Sequence, residues 1–297
     1  MAAPVPPGAP TEEVIVFLNY RTMFEADGLD TANLESWREV LDSFGYQGLT
    51  RFGFLRELAL ATPTEVMRSL CPYTTKAEYG PVLNKRLIRM EKELSELVRV
   101  EMLPITGIRE FLVSCAKQSA KLTSVFLSPF SETNTRVLLE KTEMAPFVDF
   151  VHCYTEREYA MLEALEMLNV RPPHIPSHMN HRWEKPGEAP SKTPTRIVVF
   201  DADPIGVKYT QELGLCSIGI SFNAFEDGVP DGQAASSEFK EHTKALQDAA
   251  DGGSNTGVAG DAVLLQAGCV CVLRDFSSLQ YEYLAHIQPP AKAMNVA

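Results

Sequence analysis

A short apolar run near the start of the chain, Val14–Leu18, constrains the fold more than any other stretch. Its five consecutive apolar residues end abruptly in the polar turn Asn19–Thr22. This pattern is typical of a strand buried on both faces, and such strands belong to parallel sheets covered by helices. In an open α/β sheet, ligands bind at the loop that follows the carboxyl end of such a strand. We therefore expect the turn after Leu18 to lie at the functional edge of a parallel sheet.

Strand-like runs recur along the rest of the chain, separated by stretches with helical periodicity. They are predicted at residues 122–127, 150–153, 196–200, 216–220 and 268–273. In the stretches between most of these runs, apolar residues recur every three or four positions, which predicts helices with one buried face. The alternation predicts an α/β fold with a doubly wound parallel sheet.

Residues 30–100 break this alternation, because they contain helical patterns and no clear strand-like run. Trp37, Val40, Leu41 and Phe44, for example, form one apolar face of a helix. The sequence predicts a helical unit at 30–100, inserted into an α/β core formed by 13–29 and 101–297. It also predicts a disordered Pro/Ala-rich tail at 1–12 and two polar loop insertions, at 171–195 and 223–260.

Composition excludes several classes of function. The formal charge is -12 and the basic residues are scattered, which argues against a nucleic-acid partner or an anionic membrane surface. No apolar run approaches the ~20 residues of a membrane-spanning helix, so membrane insertion is not expected. The first ten residues lack the basic start and apolar centre of a secretory signal. The six cysteines have no disulfide-like spacing, so we expect reduced thiols and an intracellular protein, in the cytoplasm or an organelle interior.

Two groups of potential metal ligands are present, and neither is expected to bind a metal. Cys269 and Cys271 share one face of a predicted strand, but no further ligands are evident. His174, His178 and His181 lie in a proline-rich stretch that cannot present them on one continuous helix. We interpret the histidines as residues of a solvated loop.

Three segments, in this order, carry a resemblance to a known family. Leu103–Arg109 is similar to the family's "LPGV" segment, and Ser128-Pro129 is similar to its second motif. Val199–Val207 (VFDADPIGV) is similar to its fourth motif, V-F-E-D-S-P-A-G-V. With the first strand and the helical insert, these segments resemble the haloacid dehalogenase-like hydrolases, in the subclass with a small helical cap that includes phosphoglycolate phosphatase and β-phosphoglucomutase. The resemblance implies a Rossmann-like core and a cap domain.

The family's first motif, D-x-D-G-T, is degenerate in this chain. Its first Asp attacks phosphorus and its second protonates the leaving group. Anchored on Phe17 and Thr22, these positions carry Leu18 and Tyr20, while Arg21 replaces the glycine. A leucine has no nucleophile, and a phenol with a reference pKa near ~10 is poorly matched to acid–base work at neutral pH. No catalytic residue is therefore predicted.

The resemblance implies a Mg²⁺ ion held by oxygen ligands from the first and fourth motifs. In the fourth motif Asp201 stands for the usual Glu and Ala202 for the usual Asp, and Asp203 fits only if the turn slips. Lys185-Pro186 matches the letters of the third motif, but it lies in the proline-rich loop, where a solvated lysine is expected. No metal or cofactor is predicted, unless a rearranged site uses Mg²⁺.

Thr22, Ser128, Asp201 and Asp203 form the remnant of the phosphate and metal pocket that the resemblance implies. The two hydroxyls either bind an anion or cap local backbone, and capping is the preferred interpretation. The two carboxylates either hold a cation or cap the helix that begins at Pro204, and capping is again preferred.

Two functions remain open. The favoured prediction is a catalytically inactive protein of this hydrolase fold, a pseudoenzyme that serves as a binding or structural subunit of a larger assembly and has a protein partner. Its loop insertions would supply contact surface. The alternative is a Mg²⁺-dependent phosphatase or phosphomutase that acts on a small phosphorylated metabolite through Asp201 and Asp203.

Overall fold

The computed structural model describes residues 13–97, 102–119, 121–180, 195–223 and 258–284. In these ranges six parallel strands form one sheet in the order β3-β2-β1-β4-β5-β6. The strands are β1 (Glu13–Asn19), β2 (Lys121–Ser128), β3 (Phe150–Cys153), β4 (Thr195–Asp201), β5 (Cys216–Ile220) and β6 (Cys271–Leu273). The predicted doubly wound parallel sheet is confirmed, with β1 in its centre between β2 and β4.

Both faces of the central strand are buried, as its unbroken apolar run predicts. Val14, Val16 and Leu18 pack into one apolar cluster, while Ile15 and Phe17 pack into another on the opposite face. Neighbouring strands, loops and helices supply the rest of both clusters. The α/β part contains α1 (Tyr20–Met23), α6 (Ile108–Gln118), α7 (Glu132–Lys141), a 3₁₀ turn (Ala145–Phe147), α8 (Arg157–Met167), α9 (Pro204–Glu212), α10 (Val258–Ala267) and α11 (Tyr281–Leu284).

Between β1 and α6 the described chain forms a helical segment, residues 27–97. It consists of α2 (Asp27–Asp42), α3 (Arg51–Gly53), a π-helix (Phe54–Leu58), α4 (Pro63–Leu70) and α5 (Lys76–Leu97). Its apolar residues Val66 and Met67 share one buried cluster with Val207 of α9 and Leu264 of α10. The segment therefore packs directly on the α/β part, and its status as a separate cap domain stays a prediction.

The last strand is shorter than the sequence predicts. The strand predicted at 268–273 begins only at Cys271, because Gly268 has a φ of 115° and its N–H donates to carbonyls of Leu264 and Leu265, which ends α10.

The remaining predictions on organisation are partly tested. All six cysteines are free, as expected. Within the described ranges, no helix combines the length and apolar character needed to cross a membrane. The predicted tail at 1–12 and most of the insertions at 171–195 and 223–260 lie outside the described residues.

Candidate functional site

The candidate site lies at the carboxyl edge of the sheet, where β1 and β4 end side by side. Asn19 is the last residue of β1, and its Nδ2 donates a hydrogen bond of 3.0 Å to Oδ1 of Asp201, the last residue of β4. Asn19 Oδ1 accepts from the backbone N–H groups of Arg21 and Thr22, at 3.0 and 3.2 Å. The side chain that β1 presents to the site is thus an amide whose oxygen accepts two hydrogen bonds and whose nitrogen donates one.

Leu18, which the motif comparison aligns with the attacking aspartate, does not face this site. It is 1% exposed and packs with Val14 and Val16 in the apolar cluster on one face of β1. Asn19, which the comparison placed between the two aspartate positions, lies beside Asp201 instead. Sequence reasoning missed Asn19, although it is the first polar residue after the apolar run and stands where the strand ends.

Ala202, the third degenerate motif position, is fully buried and presents no polar side chain. The next residue, Asp203, caps the helix that follows. Asp203 Oδ1 and Oδ2 accept from the backbone N–H groups of Ile205 and Gly206, at 3.1 and 3.2 Å, so Asp203 is the N-cap of α9. This matches the capping interpretation for Asp203, whereas Asp201 accepts from Asn19 and from the Asp203 N–H and does not cap the helix.

The two hydroxyls of the remnant pocket are also engaged locally. Thr22 Oγ1 accepts from the backbone N–H of Asn19 at 3.0 Å and donates to its carbonyl at 2.9 Å. Ser128 Oγ lies 2.7 Å from Thr135 Oγ1 and accepts from the N–H of Phe130 at 3.2 Å. Both hydroxyls thus make local contacts of the kind that the capping interpretation expects.

The cation that neutralises the site is Arg157, which the sequence reasoning also missed. Its Nη1 lies 2.7 Å from Oδ2 of Asp203, and the arginine side chain is 11% exposed. Arg157 is the first residue of α8, the helix that precedes β4, where the resemblance calls for a third-motif lysine. Lys185-Pro186 lies outside the described residues. A basic residue at the start of the helix before the fourth strand was the signal that could have identified Arg157.

Burial changes the proton affinity of Asp201. Desolvation, reinforced by the charge of Asp203 and opposed by hydrogen bonds from the Asp203 backbone and Asn19, raises the pKa of Asp201 to about 7. The carboxyl is therefore partly protonated at neutral pH. Because its folded-state pKa lies above the unfolded value, its contribution to stability is complete below about pH 4 and is lost as the pH rises toward 7.

Tyr20, the residue aligned with the acid–base aspartate, cannot serve that role. It is fully buried, and desolvation together with the charge of Asp30 raises its pKa well above the ordinary value. Its hydroxyl donates to Oδ1 of Asp30 at 2.7 Å. Arg21, in the place of the motif's glycine, pairs with Oδ2 of Asp30 at 2.6 Å, and both side chains are at most 3% exposed. The first-motif turn is thus tied into the core through a buried ion pair.

Little free space remains between these groups. The cavity bounded by Asn19, Tyr154, Arg157, Asp201 and Asp203 has a volume of about 40 Å³. This holds a few water molecules, whereas pockets for small ligands measure ~300–1,000 Å³. A phosphorylated metabolite does not fit in this arrangement.

The side chains present do not fit a Mg²⁺ ion, which needs several oxygen ligands in octahedral geometry. Asn19 turns its N–H₂ group, and not its oxygen, toward Asp201. Asp201 Oδ1 accepts a second hydrogen bond from the N–H of Asp203, at 2.9 Å, and a guanidinium already occupies Oδ2 of Asp203. Across the described residues, no group of three or more His, Cys, Asp or Glu residues is arranged to hold a metal.

The predicted histidine group is only partly described. His178 Nε2 lies 3.1 Å from a carboxylate oxygen of Glu158, and His174 Nδ1 lies 2.6 Å from the carbonyl of Glu212. His181 lies outside the described residues. The two described rings therefore contact different parts of the chain.

Comparison with known proteins defines the class of fold. No protein family and no curated protein matches the sequence. Among solved structures, the chain is similar to a phosphonoacetaldehyde hydrolase-like protein from Oleispira antarctica, with 13% identity, a TM-score of 0.56 and coverage of 98% of this chain and 99% of that chain. It is also similar to a hydrolase from Pseudomonas syringae, with 12% identity, a TM-score of 0.55 and coverage of 94% and 99%.

The description of a third similar structure names the class of fold. It is a haloacid dehalogenase-type hydrolase, family IA, variant 3, from Entamoeba histolytica, with 13% identity, a TM-score of 0.53 and coverage of 93% of this chain and 98% of that chain. At these identities the similarity establishes the fold alone. The chain has the haloacid dehalogenase-like fold, as the sequence motifs predicted.

Proposed function

We propose that this chain is a non-catalytic protein of the haloacid dehalogenase-like fold that acts as a binding or structural subunit of a larger assembly. The observation that carries the proposal is Asn19. A neutral amide is a poor nucleophile, and the oxygen of this amide already accepts two backbone hydrogen bonds. Asn19 therefore has no carboxylate with which to form an aspartyl phosphate.

The neighbouring acids do not compensate for the missing nucleophile. Asp201 is partly protonated at neutral pH and is held by two donors. Asp203 caps α9 and is paired with Arg157. At neutral pH Asp201 is only partly ionised and Asp203 is paired with a guanidinium, which supports a role that does not involve phosphoryl transfer.

The second candidate function is a Mg²⁺-dependent phosphatase or phosphomutase acting on a small phosphorylated metabolite. Two observations favour it: the similar structures are described as hydrolases or as hydrolase-like, and two acids stand side by side at the carboxyl edge of the sheet. This function would require Arg157 to leave Asp203 and the cavity to widen.

A hydrolysis assay separates the two functions. The purified chain, with a generic phosphomonoester and millimolar Mg²⁺, is expected to release phosphate no faster than buffer, and Asp201→Asn and Asp203→Asn are expected to leave that rate unchanged. Turnover that both substitutions abolish would overturn the proposal and establish the phosphatase.

Size-exclusion chromatography tests the proposed assembly. In extracts of its own cells the chain is expected to elute in a complex larger than the monomer.

A further inference from the structure

Two buried tyrosines of the α/β part place their hydroxyls within hydrogen-bond distance of one short stretch of the helical segment, and the single Tyr20 proton is shared with Asp30 of the same segment. The hydroxyl of Tyr20, directly after β1, lies 3.1 Å from the carbonyl oxygen of Ala59. The hydroxyl of Tyr154, directly after β3, lies 2.6 Å from the carbonyl oxygen of Leu60. Both side chains are buried, and burial raises the pKa of each well above the ordinary value, so both remain hydrogen-bond donors at neutral pH.

Arg157 reaches the same stretch from α8. Its Nη2 donates to the carbonyl of Glu57 at 3.0 Å, while its Nη1 holds Asp203. Its backbone N–H donates to Oε1 of Glu65 at 2.7 Å. Arg157 thus connects Asp203 at the sheet edge to Glu57 and Glu65 of the helical segment.

The three accepting carbonyls belong to residues 57, 59 and 60, at the carboxyl-terminal end of the π-helix Phe54–Leu58. The last carbonyls of a helix lack intrahelical partners, and this end of the helix dipole is negative, so donors and cations are favoured there. Breaking these contacts would leave the carbonyls of buried Ala59 and Leu60 without partners unless water entered, whereas the Glu57 carbonyl belongs to an exposed residue. The three contacts therefore act together to hold this end of the helix on the sheet edge.

We propose that these contacts lock the helical segment permanently over the carboxyl edge of the sheet. In the locked state the segment is a fixed part of the core and not a lid that opens and closes. The apolar cluster shared by Val66, Met67, Val207 and Leu264 supports this independently, because opening would expose it to water. The inference rests on the proposed function, since an enzyme with a covered site must open to exchange substrate and product.

Hydrogen exchange measured by mass spectrometry tests the lock. In the unmodified chain, peptides covering 54–62 are expected to be as protected as peptides covering β1 and β4. The double substitution Tyr20→Phe with Tyr154→Phe removes the two hydroxyls, and with them the Tyr20 hydrogen bond to Asp30 of the same helical segment. It is expected to speed exchange at 54–62 at least tenfold and to change exchange in β1 and β4 by less than twofold.

Tyr46→Phe is the matched control, because this half-buried tyrosine of the helical segment makes no hydroxyl hydrogen bond among the described residues. It is expected to leave exchange at 54–62 unchanged. Unprotected 54–62 amides in the unmodified chain would overturn the lock even if the double variant failed to fold. No acceleration in the double variant, or equal acceleration in the sheet, would also overturn it. A locked chain that hydrolyses phosphomonoesters would instead refute only the proposed function.

Discussion

Replacing Asp30 by alanine is expected to lower the free energy of unfolding by about 3–5 kcal/mol, the cost of leaving a buried charge without its partner. Arg21 is 1% exposed and pairs with Asp30 at 2.6 Å, and the Tyr20 hydroxyl donates to the same carboxylate at 2.7 Å. Removing the carboxylate leaves the Arg21 guanidinium buried in the core without its counter-charge, while the Tyr20 hydroxyl keeps only the Ala59 carbonyl as its partner. Urea unfolding followed by circular dichroism measures the loss.

Asp27→Ala provides the matched control for this substitution. Asp27 lies one turn earlier in the same helix, and its ion pair with Arg51 involves a carboxylate that is 86% exposed. Exposed pairs contribute little, so this variant is expected to lose less than about 1 kcal/mol. The double variant Arg21→Met with Asp30→Leu is expected to be more stable than Asp30→Ala, because it buries no unpaired charge. A loss below about 1 kcal/mol for Asp30→Ala would contradict this account of the buried pair.

Replacing Gly107 by alanine is expected to cost about 2–4 kcal/mol, also measured by urea unfolding. Gly107 precedes α6 with a φ of 83°, in the left-handed region that side chains rarely adopt. A Cβ added here would lie 2.6 Å from backbone atoms of Phe276 and Ser277. The added methyl group would therefore force apart two segments of main chain.

Gly45→Ala separates the two contributions at Gly107. Gly45 has a similar φ of 77°, but an added Cβ would have no neighbour within 4 Å. This variant is expected to lose only the conformational part, about 1–2 kcal/mol. Equal losses at the two glycines would show that the close approach of residues 276 and 277 contributes nothing.

Local sequence patterns predicted the α/β fold, because they report burial directly. The unbroken apolar run Val14–Leu18 identified a strand covered on both faces, and both faces are buried. The run Cys216–Ile220 identified β5 with the same limits as the structure. Parallel pairing followed from the helices between the strands, so no contact between distant residues had to be known.

The candidate site was harder to predict, because its side chains are organised by contacts between distant parts of the chain. Motif spacing pointed to Leu18, whereas the position beside Asp201 is taken by Asn19, and 182 residues separate the two partners of that hydrogen bond. Tyr154 contacts the carbonyl of Leu60 across a separation of 94 residues. Local patterns gave the capping role of Asp203, because its partners Ile205 and Gly206 follow within three residues.

A non-catalytic chain, as proposed, has no side chain at this sheet edge that can carry a phosphoryl group. Crystals of the chain soaked with beryllium fluoride and Mg²⁺ test this most directly, because beryllium fluoride bonds to a carboxylate in the manner of a transferred phosphoryl group. We predict electron density in which Asn19 still donates to Asp201 and no beryllium is bonded to any side chain of the site. Beryllium fluoride bonded to Asp201 or Asp203, with a divalent ion beside it, would contradict the account.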